Sequence, residues 1–246
     1  MTTSTGIDVA SRLTAVRDRV AVACGRADRS PASVRIIGVT KTHAPELGRA
    51  AVEAGLIDLG ENRVQELVAK QPLVPGARWH LVGQLQRNKV RDVVGRQILV
   101  HSVDRRRLAD ALSRRAAELG SLQRVLIQVN VGDDPAKGGC RVDEARDLVA
   151  YARELPNLAV EGLMTIPPLP AEQQDPANAS REHFARLRQL RDEVRESYPE
   201  VVHLSMGMSA DLEAAVEEGA TMIRVGTAVF GPRGQSPWRP QEDNNR

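Results

Sequence analysis

Aromatic side chains are nearly missing from this sequence: two Trp, two Tyr and two Phe are all that its 246 residues contain. So few rings cannot build a stacking platform for single-stranded bases. A surplus of one charge is missing too. Lys and Arg number 34 against 32 Asp and Glu, a formal net charge of +2, whereas a nucleic-acid binder carries a clustered basic surplus. Nucleic acid is therefore not an expected partner. Cysteine is scarce: Cys24 and Cys140 lie far apart and match no metal-ligand or redox spacing. They read as reduced thiols of a cytosolic protein, and no metal site is expected. No apolar run is long enough to span a bilayer, and the opening MTTSTGIDVASRL lacks a basic segment followed by an apolar one. A cytoplasmic protein with no membrane partner is the expectation.

What the chain does have is a repeat of short apolar run, turn and helix. Ahead of it, Val9, Leu13, Val16, Val20 and Ala23 fall at helical spacing within 7–25, which predicts an amphipathic helix lying against something else. From Arg35 onward come RIIGVT, LIDLG, RWHLVG, ILVHSV, RVLIQVNV, LAVEGLM, VVHLS and MIRVG, separated by patterns such as Leu47, Ala50, Ala51 and Ala54. Asn62, Asp104, Asp143 and Ser209 stand where helix N-caps are expected, and Gly55, Gly120 and Gly219 where helices stop. Strands alternating with helices make a parallel sheet through right-handed crossovers. Eight such units predict an α/β fold, a single-domain (β/α)8 TIM barrel with an extra N-terminal helix, over residues 1–231. The competing open doubly wound sheet would carry a glycine-rich loop after its first strand, and TKTHAP is not one. The stretch 167–180, PPLPAEQQDPANAS, reads as a mobile loop, and 232–246 as a disordered tail.

In such a barrel the functional site lies at the carboxyl ends of the strands. Lys41 ends the first run. Taken alone it is better read as a strand-end lysine reaching water; held at the top of an apolar barrel, it becomes an amine able to form a Schiff base. After the seventh run, Gly207 relaxes the backbone and Ser209 opens a helix; after the eighth, Gly226 and Thr227 offer N–H donors and a hydroxyl. Each is singly a cap or a turn, and together they form a candidate phosphate clamp. Arg224 lies inside an apolar strand and needs a partner, a carboxylate in the ordinary case. His80, His101 and His203 have no ligand-like pairing and read as structural. The arginine-rich helices, with Arg105 to Arg107 and Arg181 to Arg195, read as solvated faces paired with acids.

The motifs GVTKTHAPE, LGENRVQEL, WHLVGQLQRNK, VLIQVNVGDDPAKGG, EGLMTIPP and HLSMGMSADLEAAVEEGATMIRVGTAVFG, in that order, resemble the pyridoxal-phosphate homeostasis proteins, barrels similar to the N-terminal domain of alanine racemase. The resemblance implies pyridoxal 5′-phosphate (PLP) as cofactor, bound as a Schiff base on Lys41. It further implies that Asn62 approaches the ring, that Ser209, Gly226 and Thr227 bind the phosphate, and that Ser205 and Gly207 shape that loop. Arg224 would face the pyridine nitrogen. A guanidinium only donates, so that nitrogen would stay unprotonated and the cofactor would be a weak electron sink. Two positions depart from the common pattern: Thr40 stands where serine is usual, and His43, expected on the outer turn, where a second lysine is usual. Lys137 matches a loop lysine of the family and reads as solvated.

The function implied is intracellular PLP homeostasis by a monomeric carrier or buffer without efficient catalysis, passing PLP to apo PLP-dependent enzymes. The alternative is a racemase-like enzyme of low activity with Lys41 as base. Against it, Tyr151 and Tyr198 both fall in predicted helices, and the racemase's second domain, which supplies the other base, has no counterpart. A cofactor-free Schiff-base aldolase is a further alternative, disfavoured because a bound cofactor already accounts for the phosphate clamp.

Overall fold

The computed structural model describes residues 7–168, 175–232 and 238–240. Eight parallel strands close on themselves in sequence order, β1 (Arg35–Val39), β2 (Asp58–Glu61), β3 (Arg78–Leu81), β4 (Leu99–Val103), β5 (Gln123–Gln128), β6 (Leu158–Met164), β7 (His203–Ser205) and β8 (Met222–Val225). Closure is made by β1 against β8, with Ile37 opposite Arg224. The predicted barrel is the observed one. Around it run α2 (Pro45–Glu53), α3 (Val64–Lys70), α4 (Val90–Val93), α5 (Arg106–Glu118), α6 (Val142–Glu154), α7 (Pro176–Ser197), α8 (Leu212–Glu217) and α9 (Thr227–Phe230). The extra helix α1 (Val9–Arg26) buries its predicted stripe, including Leu13, Val16 and Val20, against α2, α8 and α9. Each such side chain contributes about 1.5–3 kcal/mol by leaving water. Arg19 of α1 adds paired contacts to Glu213 at 2.6 and 2.8 Å.

Two hydrophobic cores result. The larger joins strands and helices; the smaller, Ile37, Leu99, Leu126, Met164 and Met222, contributes to the barrel interior. Polar side chains take part of the buried volume, among them His80, His101, Thr165, Ser205 and Arg224. Among the described residues no helix is long and apolar enough to cross a membrane. Cys24 and Cys140 are both buried free thiols.

Helix stops match the sequence reading and helix starts do not. Gly55, Gly120 and Gly219 take φ of +84°, +57° and +94° directly after Ala54, Leu119 and Glu218, the C-caps of α2, α5 and α8, a backbone that glycine alone adopts freely. The N-caps are Arg63, Arg105, Arg141 and Asp211, one or two residues from the expected Asn62, Asp104, Asp143 and Ser209. A cap needs only non-helical backbone, and α3 and α5 start without any side-chain cap bond. The expected loop 167–180 is shorter than the sequence suggested. Its proline at 176 is the first residue of α7, and Asp175 caps that helix by accepting the Ala177 N–H at 3.1 Å. Proline there initiates rather than breaks. Residues 169–174 of the loop, and 233–237 and 241–246 of the tail, lie outside the described residues. At 238–240 the chain runs irregularly and returns to the barrel mouth, where the Trp238 N–H meets the Thr42 carbonyl at 2.9 Å.

Candidate functional site

Strand β1 delivers Lys41 into a tight turn whose two flanks are both tied down. On one side Thr40, buried, donates its hydroxyl to Glu61 Oε1 at 2.6 Å, and its carbonyl accepts from Lys70 Nζ at 2.9 Å. On the other, the Thr42 N–H donates to Glu66 Oε2 at 2.8 Å. Thr42 has φ +67° and a buried hydroxyl with no hydrogen-bond partner. A β-branched residue in this region is strained by roughly 1–3 kcal/mol and persists only where its surroundings over-determine it. Here they do. Lys70 Nζ stands 2.6 Å from Glu61 Oε1 and 3.3 Å from Glu66 Oε2, and 4.9 Å from the centre of the Trp238 ring. Burial pushes the Glu61 carboxyl above its ordinary range, against the opposing pull of the Lys70 charge. Sequence reasoning missed this triad, though Glu66 and Lys70 stand four apart on one face of α3.

Lys41 opens onto a cavity of about 510 Å³ at the carboxyl ends of the strands, also lined by Asn62, Ser209, Arg224, Gly226 and Thr227. Six of the eight expected residues thus share one space. Ser205 and Gly207 do not line it. Ser205 is fully buried beneath Arg224, bonded to its guanidinium at 2.8 Å. Gly207 lies behind the loop with φ +89°, where a Cβ would fall 2.4 Å from that of Ala215. Its carbonyl accepts the Arg224 N–H at 2.9 Å. His43, expected on the outer turn, instead lines the cavity and packs its ring 5.7 Å from that of Phe230. The turn through Thr42 redirects it inward. Lys137 reaches the same cavity from the loop after β5.

Ser209 is not a helix cap. Its hydroxyl accepts the Ala228 N–H of α9 at 3.3 Å, joining the segment after β7 to the segment after β8. Asp211 holds the former in shape, accepting from the Met208 N–H at 2.6 Å and the Ser180 hydroxyl at 3.0 Å. Gly83 lets the segment after β3 approach Asn62: a Cβ there would lie 2.1 Å from the Asn62 carbonyl oxygen.

Arg224 departs from the ordinary expectation for a buried arginine, since among the described residues none gives it a carboxylate at ion-pair distance. Its two terminal nitrogens donate to Ser205 Oγ and the Thr165 carbonyl, both at 2.8 Å. Burial pulls its pKa down to about 10, and Asp211 offsets part of that from a distance. Still charged near neutrality, with five N–H donors of which these bonds use two, it presents unused donor capacity to the cavity it lines. Such a site suits a ligand with an acceptor atom at its base, an anionic group near Ser209 and Thr227, and a carbon electrophile within reach of an amine. His80 and His101, read as structural, bond to Asp58, to each other and to Ser205.

Residues 12–234 match the family described as alanine racemase, N-terminal domain. Over 230 residues the chain is 44% identical to the pyridoxal phosphate homeostasis protein of Aquifex aeolicus, a match covering 92% of this chain and 99% of that one. The solved structure of PipY from Synechococcus elongatus PCC7942 with PLP bound superposes at TM-score 0.78 and 38% identity, over 91% of this chain and 100% of that one. Alanine racemase of Clostridium difficile 630, in complex with cycloserine, has the same fold at TM-score 0.71 and 15% identity, the match taking in 91% of this chain and 61% of the racemase.

Proposed function

The chain belongs to the pyridoxal phosphate homeostasis proteins, and from that premise we propose that it holds PLP covalently on Lys41 at the barrel mouth, buffering it for transfer to apo-enzymes rather than turning over amino acids. The observation that carries this reading is the convergence of Lys41, Arg224, Ser209 and Thr227 on one cavity. Bound there, PLP supplies an aldehyde that condenses reversibly with an amine, releasing water.

The residues present fit that group. Lys41 Nζ is the amine, and the pinned turn around it limits where that amine can go. Arg224 offers donors to a ring nitrogen and cannot accept, so the nitrogen stays unprotonated and electron withdrawal by the ring stays weak. Ser209, Gly226 and Thr227 line the part of the cavity assigned to the phosphate, and Asn62 lines the part assigned to the ring substituents. Ser205 and Gly207 contribute from behind, one on the Arg224 guanidinium and the other on its backbone. The chain's two tyrosines support a non-racemising role, for neither lines the cavity: Tyr151 is on α6 and Tyr198 directly follows α7. Tyr151 donates to Asp110 at 2.6 Å, and the Tyr198 ring lies under Arg153.

Borohydride reduction of the PLP-loaded protein, followed by peptide mass mapping, tests the attachment. A single reduced adduct on Lys41 is expected, with none in Lys41→Ala. An adduct confined to another lysine would remove the basis of this reading.

A further inference from the structure

Asp58, His80, His101, Ser205 and Arg224 form one unbroken line of hydrogen bonds through the barrel, and donor chemistry together with the neutrality of its buried imidazoles fixes its direction. The links measure 2.9 Å from Asp58 Oδ1 to His80 Nε2, 3.0 Å from His80 Nδ1 to His101 Nε2, 2.9 Å from His101 Nδ1 to Ser205 Oγ, and 2.8 Å from Ser205 Oγ to Arg224. All five side chains are buried. An ionised carboxylate only accepts, so His80 Nε2 carries the proton. Burial holds both imidazoles neutral, by lowering their pKa values against the pull of Asp58 on His80. The His80 Nδ1 lone pair must then accept from His101 Nε2–H, and the His101 Nδ1 lone pair from the Ser205 hydroxyl. Ser205 has one O–H; with it committed to His101, its oxygen lone pairs are left facing Arg224, which can only donate. Every link runs the same way, from guanidinium to carboxylate.

The line joins opposite ends of the barrel. Arg224 borders the cavity at the mouth, whereas Asp58 begins β2 and borders a second cavity beside Arg35 and Arg78. We propose that Asp58, His80 and His101 are positioning residues for Arg224. They orient the Ser205 hydroxyl so that it serves the guanidinium as an acceptor, and so hold the remaining guanidinium donors on the ring nitrogen of bound PLP. Of the five, Arg224 alone lines the mouth cavity. This rests on the reading that PLP occupies the mouth, but the direction of the line does not.

Two measurements separate these claims. Nitrogen-15 NMR of the ligand-free protein reads the tautomers directly, and His80 and His101 should both carry their proton on Nε2. A proton on Nδ1 of either residue overturns the proposal whatever the protein binds. In the second, His101→Phe and Ser205→Ala are titrated with PLP and with its 1-deaza analogue, in which carbon replaces the ring nitrogen. Loss of one well-placed hydrogen bond predicts about tenfold weaker PLP binding, with a shifted visible band and unchanged affinity for the deaza analogue. His101→Asn, whose amide oxygen can stand in for Nδ1, should restore the wild-type band. Equal weakening of both ligands would mean that these residues act only through the fold, and the positioning role would be lost. Should His101→Phe fail to fold, Ser205→Ala and the tautomers still decide. Absence of a Lys41 adduct in the wild type would instead defeat the PLP reading and leave the tautomer result standing.

Discussion

Lys70 Nζ lies 2.6 Å from Glu61 Oε1, with both side chains sealed from solvent. The same ammonium holds the Thr40 carbonyl, and Glu66, its second partner, holds the Thr42 N–H. One buried cation therefore braces both neighbours of Lys41. Removing it leaves two buried carboxylates without a counter-charge, which costs far more than the pair contributes relative to an apolar replacement.

Lys70→Met is accordingly expected to lower unfolding free energy by about 3–5 kcal/mol, measured by urea denaturation. Adding Glu61→Gln to that variant should recover part of the loss, because it removes one stranded charge. A double variant as unstable as the sum of the two single ones would show that the groups do not interact.

For the phosphate, Ser209→Ala and Thr227→Val should weaken PLP binding far more than binding of unphosphorylated pyridoxal. Each removes a charge-assisted donor worth roughly 1.5–3 kcal/mol. Equal losses for the two ligands would locate the phosphate elsewhere in the cavity.

Acid should destabilise the protein through its buried His80 and His101 and the half-buried His203. Burial lowers the pKa of His80, His101 and His203 in the folded state below the usual 6.5. The unfolded chain then binds more protons than the native one below that value. Stability is therefore complete above it and is lost as pH falls through the window down to the folded pKa values. Each histidine can contribute a slope of up to about 1.4 kcal/mol per pH unit. Urea midpoints taken between about pH 5 and pH 8 should fall toward acid. A midpoint independent of pH across this range would contradict the burial of neutral imidazoles.

Racemisation should be slow. On the proposed reading Arg224 would leave the ring a weak electron sink, and neither tyrosine lines the cavity; a missing general acid or base costs roughly 10²–10⁴ in rate. D-alanine formed from L-alanine at saturating PLP, with Lys41→Ala as blank, should fall orders of magnitude below the ~10 per second of a typical enzyme. Turnover at that level would replace the buffering role with a catalytic one.

The sequence made the barrel legible because each apolar run is short and several helices are followed by a glycine at positive φ, as at Gly55 and Gly219. Lys41, Asn62 and Thr227 were legible for a related reason: they follow those runs, and the barrel sends such positions to one mouth, while Arg224 stood out as a charge inside an apolar run. What escaped depends on side-chain direction. Periodicity does not say that Thr42 adopts φ +67° and swings His43 into the cavity. It does not distinguish a solvated Lys70 from one buried against two acids, nor say that Ser205 serves Arg224 rather than the phosphate loop. The starts of α3, α5 and α6 were displaced by one or two residues because an arginine with extended backbone can occupy the cap position.

The pairing of β1 with β8 sets an order of events during synthesis. Lys41 follows the first strand, yet one side of that strand stays open until residues 222–225 arrive to pair with it. Arg224 sits within those same residues, opposite Ile37. A ribosome carrying all but the last strand thus holds a chain with an amine but no closed cavity around it. On the proposed reading, competence to retain a reactive aldehyde would arise only when the eighth strand has cleared the exit tunnel, so a truncated or stalled product would have no finished site in which to trap one.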